Sequence, residues 1–245
     1  MTRDERELAW RRHQRHEFLE PSPDLAAFVA RYWAVEWTYD RPYRQLIVPY
    51  PNVQLSFHES GPQVHGVSSG HVFQELDGTG RVFGVAFHPG AFRPFLGAPV
   101  QSITDRSLPA ADVFTGLPAR ADVESVEAAL RANLPEPDPR ARHAVEVVDL
   151  VIAQPHVTRV DVLARELGTT VRSVQRLFTE HVGISPKWVI RRYRLREVTE
   201  RMAAGGRIDW AALAADLGYA DQSHFVRDFT AMFGETPTRY AQRYG

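Results

Sequence analysis

Two short stretches of the 245-residue chain carry side chains suited to reading the edges of nucleic-acid bases. In one, Arg172, Gln175 and Arg176 stand close together, with Ser173 and Thr179 beside them. In the other stand Gln222, Ser223, His224 and Arg227, followed by Thr230. An arginine fork donates to O6 and N7 of guanine together, and a glutamine amide matches N6 and N7 of adenine. That chemistry needs an element narrow enough for the major groove to hold the side chains outward, and an α-helix is one. Between the two stretches lies an arginine-rich segment, Lys187–Met202 (KWVIRRYRLREVTERM). Its Arg191 and Arg192, with Thr179 and Thr230, are candidates for phosphate contact, which positions a protein on DNA without reading sequence.

The elements that must position these residues repeat. Leu163, Ala164, Leu167 and Gly168 recur fifty residues later as Leu213, Ala214, Leu217 and Gly218. After one inserted residue, Arg176, Phe178, Thr179, Gly183 and Pro186 recur as Arg227, Phe229, Thr230, Gly234 and Pro237. Each unit reads as helix, tight turn, helix, over about 160–182 and 209–233. The glycine at 168 or 218 is placed to end the first helix in a left-handed conformation. The second helix has an apolar face of Val174, Leu177 and Phe178, or Phe225 and Phe229, at helical spacing. Two short helices joined by a glycine-containing turn match the DNA-binding helix-turn-helix. Such a pair can also pack as a hairpin that binds nothing; the Arg and Gln on the outer positions favour the first reading.

Between the units, Trp188, Leu195, Val198 and Met202 suggest the buried stripe of a helix, with Arg191, Arg192, Arg194, Arg196 and Arg201 largely outside it. Sixteen helical residues span roughly 24 Å, enough to hold two units toward successive major grooves about 34 Å apart. Ser185-Pro186 and Thr236-Pro237 each put a capping hydroxyl before a proline at the first helical position, a helix-start signal. Thr158 is the candidate N-cap of the first unit.

Net charge is −1, which at face value speaks against nucleic acid. The average hides a division at Asn133-Leu134-Pro135-Glu136-Pro137-Asp138-Pro139-Arg140, where alternate prolines stop helix. Residues 1–140 hold 14 basic and 18 acidic side chains, and residues 141–245 hold 15 and 12. The expected organisation is therefore a domain over 1–134, a proline-rich linker over 135–140 and a basic helical domain over 141–245. Arg207 is one of nine basic residues within 172–207.

The first domain reads as α+β, a small antiparallel sheet or partial barrel with helices to one side. Short β-rich runs fall at Tyr32–Tyr39, Gln45–Tyr50, Val53–His58, Gln63–Val67 and Arg81–His88. Helical runs fall at Leu25–Ala30, Ala91–Leu96, Ala110–Phe114 and Val123–Leu130. Tyr32, Trp33, Trp37 and Tyr39 form an aromatic cluster that reads as sheet core, with the wall of a ligand cavity as the alternative.

Several classes of chemistry drop out. The chain contains no cysteine, which excludes disulfides, thiolate metal sites and a methyl-accepting thiolate of the alkylation-repair kind. His58, His65, His71 and His88 are the histidines worth testing as metal ligands, but no His-x-His pair occurs and no metal or other cofactor is expected. No phosphate-binding glycine loop is present, and Gly78-Thr79-Gly80 reads as a hairpin turn. The first twenty residues lack the apolar core of a signal peptide, and no apolar run approaches 18 residues, so a cytoplasmic protein without a membrane partner is expected.

The segment LARELGTTVRSVQRLFTEHVGISPKWVIRRYRLREV, followed by IDWAALAADLGYADQSHFVRDFTAMFGETPTRY, resembles the AraC/XylS-type transcription regulators. The resemblance covers about 160–243 and is most specific at GYADQSHFVRDF with the G-x-T-P after it. It implies two helix-turn-helix subdomains joined by a linker helix, no enzymatic activity, and double-stranded promoter or operator DNA as partner. It also implies base-reading positions at Arg172, Gln175, Arg176, Gln222, Ser223, His224 and Arg227, although some members use the positions of Ser223 and His224 for phosphate. The segments AFVARYW, VPYPNVQLSF and RVFGVAFHPGAFRPFLGAPVQSITDRSLPAADVF resemble, more loosely, a domain that precedes this module in some members. What that likeness implies is a sensor for a small-molecule effector and a homodimer contact; RNA polymerase is a further implied partner. The reading that competes is a small-molecule-binding or interaction protein whose helical half does not bind DNA specifically.

Overall fold

The computed structural model describes residues 13–203 and 209–242. The first twelve residues and Arg207 lie outside them. Six strands form one antiparallel sheet: β1 (Gln14–Leu19), β2 (Val29–Ile47), β3 (Gln54–His58), β4 (Gly61–His65), β5 (Val72–Phe87) and β6 (Ser107–Pro109), in the order β1-β2-β5-β3-β4-β6. A short helix α1 (Arg93–Leu96), two 3-10 turns (Val100–Ile103 and Ala110–Asp112) and helix α2 (Val123–Ala132) complete this part. Helices follow to the end: α3 (Pro139–Ala153), α4 (Val160–Glu166), α5 (Val171–Leu177), α6 (Pro186–Ala203), α7 (Trp210–Asp216), α8 (Gln222–Phe233) and α9 (Pro237–Ala241). An antiparallel-sheet domain followed by a helical region is the architecture expected from the sequence.

The sheet departs from the expected strands in instructive ways. Tyr32–Tyr39 and Gln45–Tyr50 belong largely to one 19-residue strand, β2, which pairs with β5 along most of its length. Asp40, Arg41 and Pro42 look like a turn but form an irregularity between the pairs Tyr39↔Gly78 and Tyr43↔Leu76. Proline has no N–H for a ladder and is tolerated where the register breaks. Strand β1 carries no β signal in the sequence because it is an edge strand with a mostly exposed, polar sequence, QRHEFL. Leu25–Ala30 is a turn rather than a helix: Ser22 O accepts from Leu25 N and Ala26 N, and Val29 is already drawn into the ladder opposite Phe87.

The aromatic cluster divides by strand parity. Tyr32 is fully buried in the core and stacks near Phe83, at 5.9 Å. Trp33 and Trp37 lie over their cross-strand partners Gly84 and Gly80, where a Cβ would meet either indole at 2.2 Å. Tyr39 stacks on Tyr43 at 4.9 Å. The four therefore do not line one cavity.

Beneath the sheet, Glu127 of α2 fixes the chain entry. Only 5% exposed, its carboxylate accepts from Ser22 N at 2.8 Å, Ser22 Oγ at 2.6 Å and Arg131 Nη2 at 2.9 Å. Burial pushes its acidity toward a higher pKa, but the Ser22 and Arg131 donors outweigh this and hold it below the ordinary 4.5. A depressed carboxylate contributes stability that is present above the unfolded-state pKa and is lost as pH falls through the folded one. Urea unfolding should therefore show stability dropping below about pH 4.5, with a shallower drop in Glu127→Gln; equal slopes in both proteins would remove Glu127 from this role.

Hydrophobic packing does not divide at the proline stretch. Asp138 caps α3 by accepting from Arg140 N at 2.8 Å, and Pro139 is its first residue. One continuous core runs from Leu55, Val85 and Phe87 of the sheet through Val147 and Val151 of α3 to Leu163, Val174, Phe178 and Ile190. A second core holds Leu195, Val198, Met202, Leu213, Phe225 and Phe229. The boundary between the two clusters falls within α6, between Tyr193 and Leu195.

Candidate nucleic-acid interface

The two units are built alike to the level of single hydrogen bonds. Gly168 and Gly218 have φ of 60° and 76°, the left-handed turn expected after the first helix. The next residue then closes the turn, Thr169 N onto Ala164 O and Tyr219 N onto Ala214 O, both at 2.9 Å. The second helices begin on side-chain caps that the sequence reading missed: Thr170 accepts from Ser173 N and Asp221 from His224 N. Thr158, in contrast, is not the cap of α4; Arg159 holds that position and makes no side-chain cap bond.

Helical period then decides what points out. Val174 and Phe178 are buried in the first unit, Phe225 and Phe229 in the second. Arg172, Gln175 and Arg176 are exposed on α5, as are Gln222, Ser223 and Arg227 on α8. His224 is half-exposed: its ring meets Tyr219 edge-on at 5.6 Å, and Nε2 lies 3.9 Å from Asp228 Oδ2. Arg227 Nε donates to Ser223 O at 3.4 Å, which lays its side chain along the helix. Past Leu177 the first unit continues as a π-turn, Phe178–Val182, on which Thr179 is half-buried. Thr230 Oγ1 donates back to Val226 O at 2.7 Å and is half-buried.

Helix α6 is where sequence and structure diverge most. Leu195, Val198 and Met202 are buried as expected, and Trp188 partly so. But Arg192 is 3% exposed and Arg194 is 2% exposed, so neither lies outside the buried stripe. Two bodies dock on this helix from different sides, and apolar periodicity reports only one of them. Arg192 Nε donates to Pro49 O at 2.6 Å, and the guanidinium lies 3.9 Å from the Tyr50 ring centre and 5.5 Å from that of Phe233. Burial pushes its pKa down, with Tyr50 opposing. In this arrangement Arg192 is a link between parts of the protein and does not face solvent. Arg194 donates to Val151 O and Gln154 O and pairs with Glu197. Arg191 is partly exposed and pairs with Asp228 Oδ2 at 3.1 Å. Asp228, four residues after His224 on the same helix, is a neighbour the sequence reading did not single out.

The sheet domain grips both units. Thr104 Oγ1 donates to Gly183 O, and Trp188 Nε1 donates to Ser69 O at 2.7 Å. His71 Nδ1 lies 2.9 Å from Ala231 O, at the end of α8. The histidines considered as ligands are spread between hydrogen bonds of this kind: His58 Nε2 and His65 Nε2 both approach Ser56 Oγ, at 2.8 and 2.6 Å. Among the described residues no cluster of three or more His, Asp or Glu is placed to hold a metal. No helix of the described residues is long and apolar enough to cross a membrane.

Comparison with known proteins covers both halves. Residues 17–109 match a family described as a domain of unknown function, DUF6597. Residues 163–243 match a helix-turn-helix domain. No curated protein matches the chain. Among solved structures, the C-terminal domain of AraT, a response regulator from Geobacillus stearothermophilus, is similar at 18% identity, over 43% of this chain and 85% of that one, with a TM-score of 0.37. ToxT from Vibrio cholerae is similar at 10% identity, over 95% and 99%, with a TM-score of 0.41. The transcriptional regulator CdpR from Pseudomonas aeruginosa is similar at 16% identity, over 68% and 47%, with a TM-score of 0.34. With the internal repeat, the paired glycine turns and the matched domain in place, residues 163–243 of this chain form a helix-turn-helix domain.

Proposed function

We propose that the protein is a sequence-specific transcription regulator that reads two successive major grooves with α5 and α8, and that its sheet domain modulates how those helices are presented. The observation that carries this reading is the duplication: two independently capped second helices leave Arg172, Gln175 and Arg176, and Gln222, Ser223 and Arg227, exposed on equivalent faces. His224 is the least free of the proposed base readers, and Arg191, Thr179 and Thr230 are the phosphate candidates that keep some exposure, whereas Arg192 is buried. Regulators of this type bind DNA rather than transform a substrate.

Support for modulation comes from the grip described above. The loops around Pro49, Ser69 and His71 hold α6 and α8 directly, so a change in the sheet domain has a short mechanical path to the second unit. A small-molecule effector, a homodimer contact and RNA polymerase belong to this proposal as partners of the sheet domain or of the DNA-bound protein.

Selection of binding sites from random duplex DNA tests the reading. It should enrich a bipartite site whose two short blocks differ, because the outward residues of α5 and α8 differ. Enrichment of no sequence over background would sink the regulator reading and favour a protein whose helical half does not bind DNA specifically.

A further inference from the structure

Beside the first second-helix lies a cavity of about 240 Å³, bounded by α3, the α4–α5 turn and α5. Arg140, His143, Thr169, Ser173, Arg176 and His181 face it, and Glu180 is the one carboxylate among its lining residues. The volume falls below the ~300–1,000 Å³ typical of sites for drug-sized ligands. It suits a compact polyatomic anion better than a large organic molecule.

The chemistry of the walls points the same way. Arg140 and His143 are three residues apart on α3, hence on one face, and both are exposed. The backbone N–H of Arg140 is hydrogen-bonded to Asp138, and its side chain has no hydrogen-bond or ion-pair partner among the described residues. His143 makes only a loose contact, 3.7 Å, with an equally exposed Glu146. Arg176 stands at the rim, shared between the cavity and the outward face of α5. His181 forms part of the inner wall: it is 1% exposed, yet neither ring nitrogen has a hydrogen-bond partner. Unpaired buried polar groups are rare and call for an explanation. Burial holds this imidazole below its ordinary pKa, with Asp138 opposing, so it stays neutral at pH 7.

We propose that this cavity is a phosphate site, and that on DNA it takes a backbone phosphate flanking the groove that α5 enters, with Arg140 and His143 closing on it from α3. The proposal rests on the reading of α5 as a base-reading helix. It adds α3 to the DNA-binding surface, which the sequence alone did not suggest. Phosphate contacts fix register and orientation while remaining blind to sequence, so Arg140 sets affinity and Arg176 sets preference. Glu180 is the opposing charge that keeps the site from being strongly cationic when empty.

The test compares full-length wild type, Arg140→Ala and Glu180→Gln on a selected duplex and on random duplex across a salt series. Arg140→Ala should weaken both duplexes by the same factor and lower the salt slope by about one unit. Glu180→Gln should tighten both, an effect that a merely structural role would not produce. Wild-type binding to DNA with Arg140→Ala unchanged on both duplexes would overturn the clamp alone; loss on the selected duplex only would make Arg140 a base reader and overturn it as well. Wild type indifferent to DNA at every salt concentration would instead defeat the reading of α5. Inorganic phosphate titrated into the free protein, followed by the imidazole ¹⁵N resonances of His143 and His181, separates the two sources of the anion. Millimolar shifts there, combined with unaltered DNA binding by Arg140→Ala, would assign the cavity to free phosphate and overturn the DNA assignment.

Discussion

The double variant Arg176→Ala, Arg227→Ala is expected to lose about 2–6 kcal/mol of affinity for its selected DNA while losing much less on random duplex. Each arginine that reads a base is worth about 1–3 kcal/mol, and the two sit on different helices of different units, so their losses should add. Both side chains are exposed, and the apolar faces beneath them rest on Val174 and Phe178 or on Phe225 and Phe229, so the fold should survive the change. Each single variant should relax preference in one block of the bipartite site and leave the other intact. Competition binding with blocks mutated one at a time measures this directly. Equal losses on selected and random DNA would move both arginines to the phosphate backbone.

Arg192→Ala is expected to behave differently from what its arginine-rich surroundings suggest. The substitution removes a buried charged hydrogen bond to Pro49 O and the packing against Tyr50 and Phe233. Charged hydrogen bonds contribute about 1.5–3 kcal/mol and desolvated cation–π contacts about 2 kcal/mol. Against them stands the relief of a buried charge, so a net destabilisation of about 2–3 kcal/mol is expected. Hydrogen exchange should localise the loosening to α8 and the loop around Pro49, because Arg192 joins the sheet domain to the second unit. The salt slope of DNA binding should stay where it is. A fall of one unit in that slope, with unchanged stability, would restore Arg192 as a phosphate ligand.

The exposed Arg176 and Arg227 and the buried Arg192 show what is legible in the sequence and what is not. The helix-turn-helix units were legible because their constraints are local: a left-handed glycine at 168 and 218, apolar residues one turn apart, and a capping hydroxyl before Pro186 and Pro237. The outward positions of α5 and α8 follow from the same arithmetic. The burial of Arg192 and Arg194 is not legible locally, because it depends on what docks against α6, and Tyr50 and Val151 are more than forty residues away. With 28 arginines in the chain, the residue type itself discriminates poorly.

The sheet was legible in class and less so in register. Trp33 over Gly84 and Trp37 over Gly80 are cross-strand relations that a linear reading does not contain. The same holds for His58 and His65, which meet at Ser56 only because β3 and β4 pair across a tight hairpin. The proline stretch at 135–139 marks a change in composition correctly. It does not mark a break in packing, because Val147 and Val151 of α3 pack into the core that also holds Phe87 of the sheet.

Guanine N7 methylation interference on a selected duplex tests the central claim most directly, since N7 is one of the two atoms an arginine fork engages. Two clusters of interfering guanines are predicted on one face of the duplex, about 10 base pairs apart, with the first cluster lost in Arg176→Ala and the second in Arg227→Ala. A single cluster, or two clusters that survive both substitutions, would contradict the account.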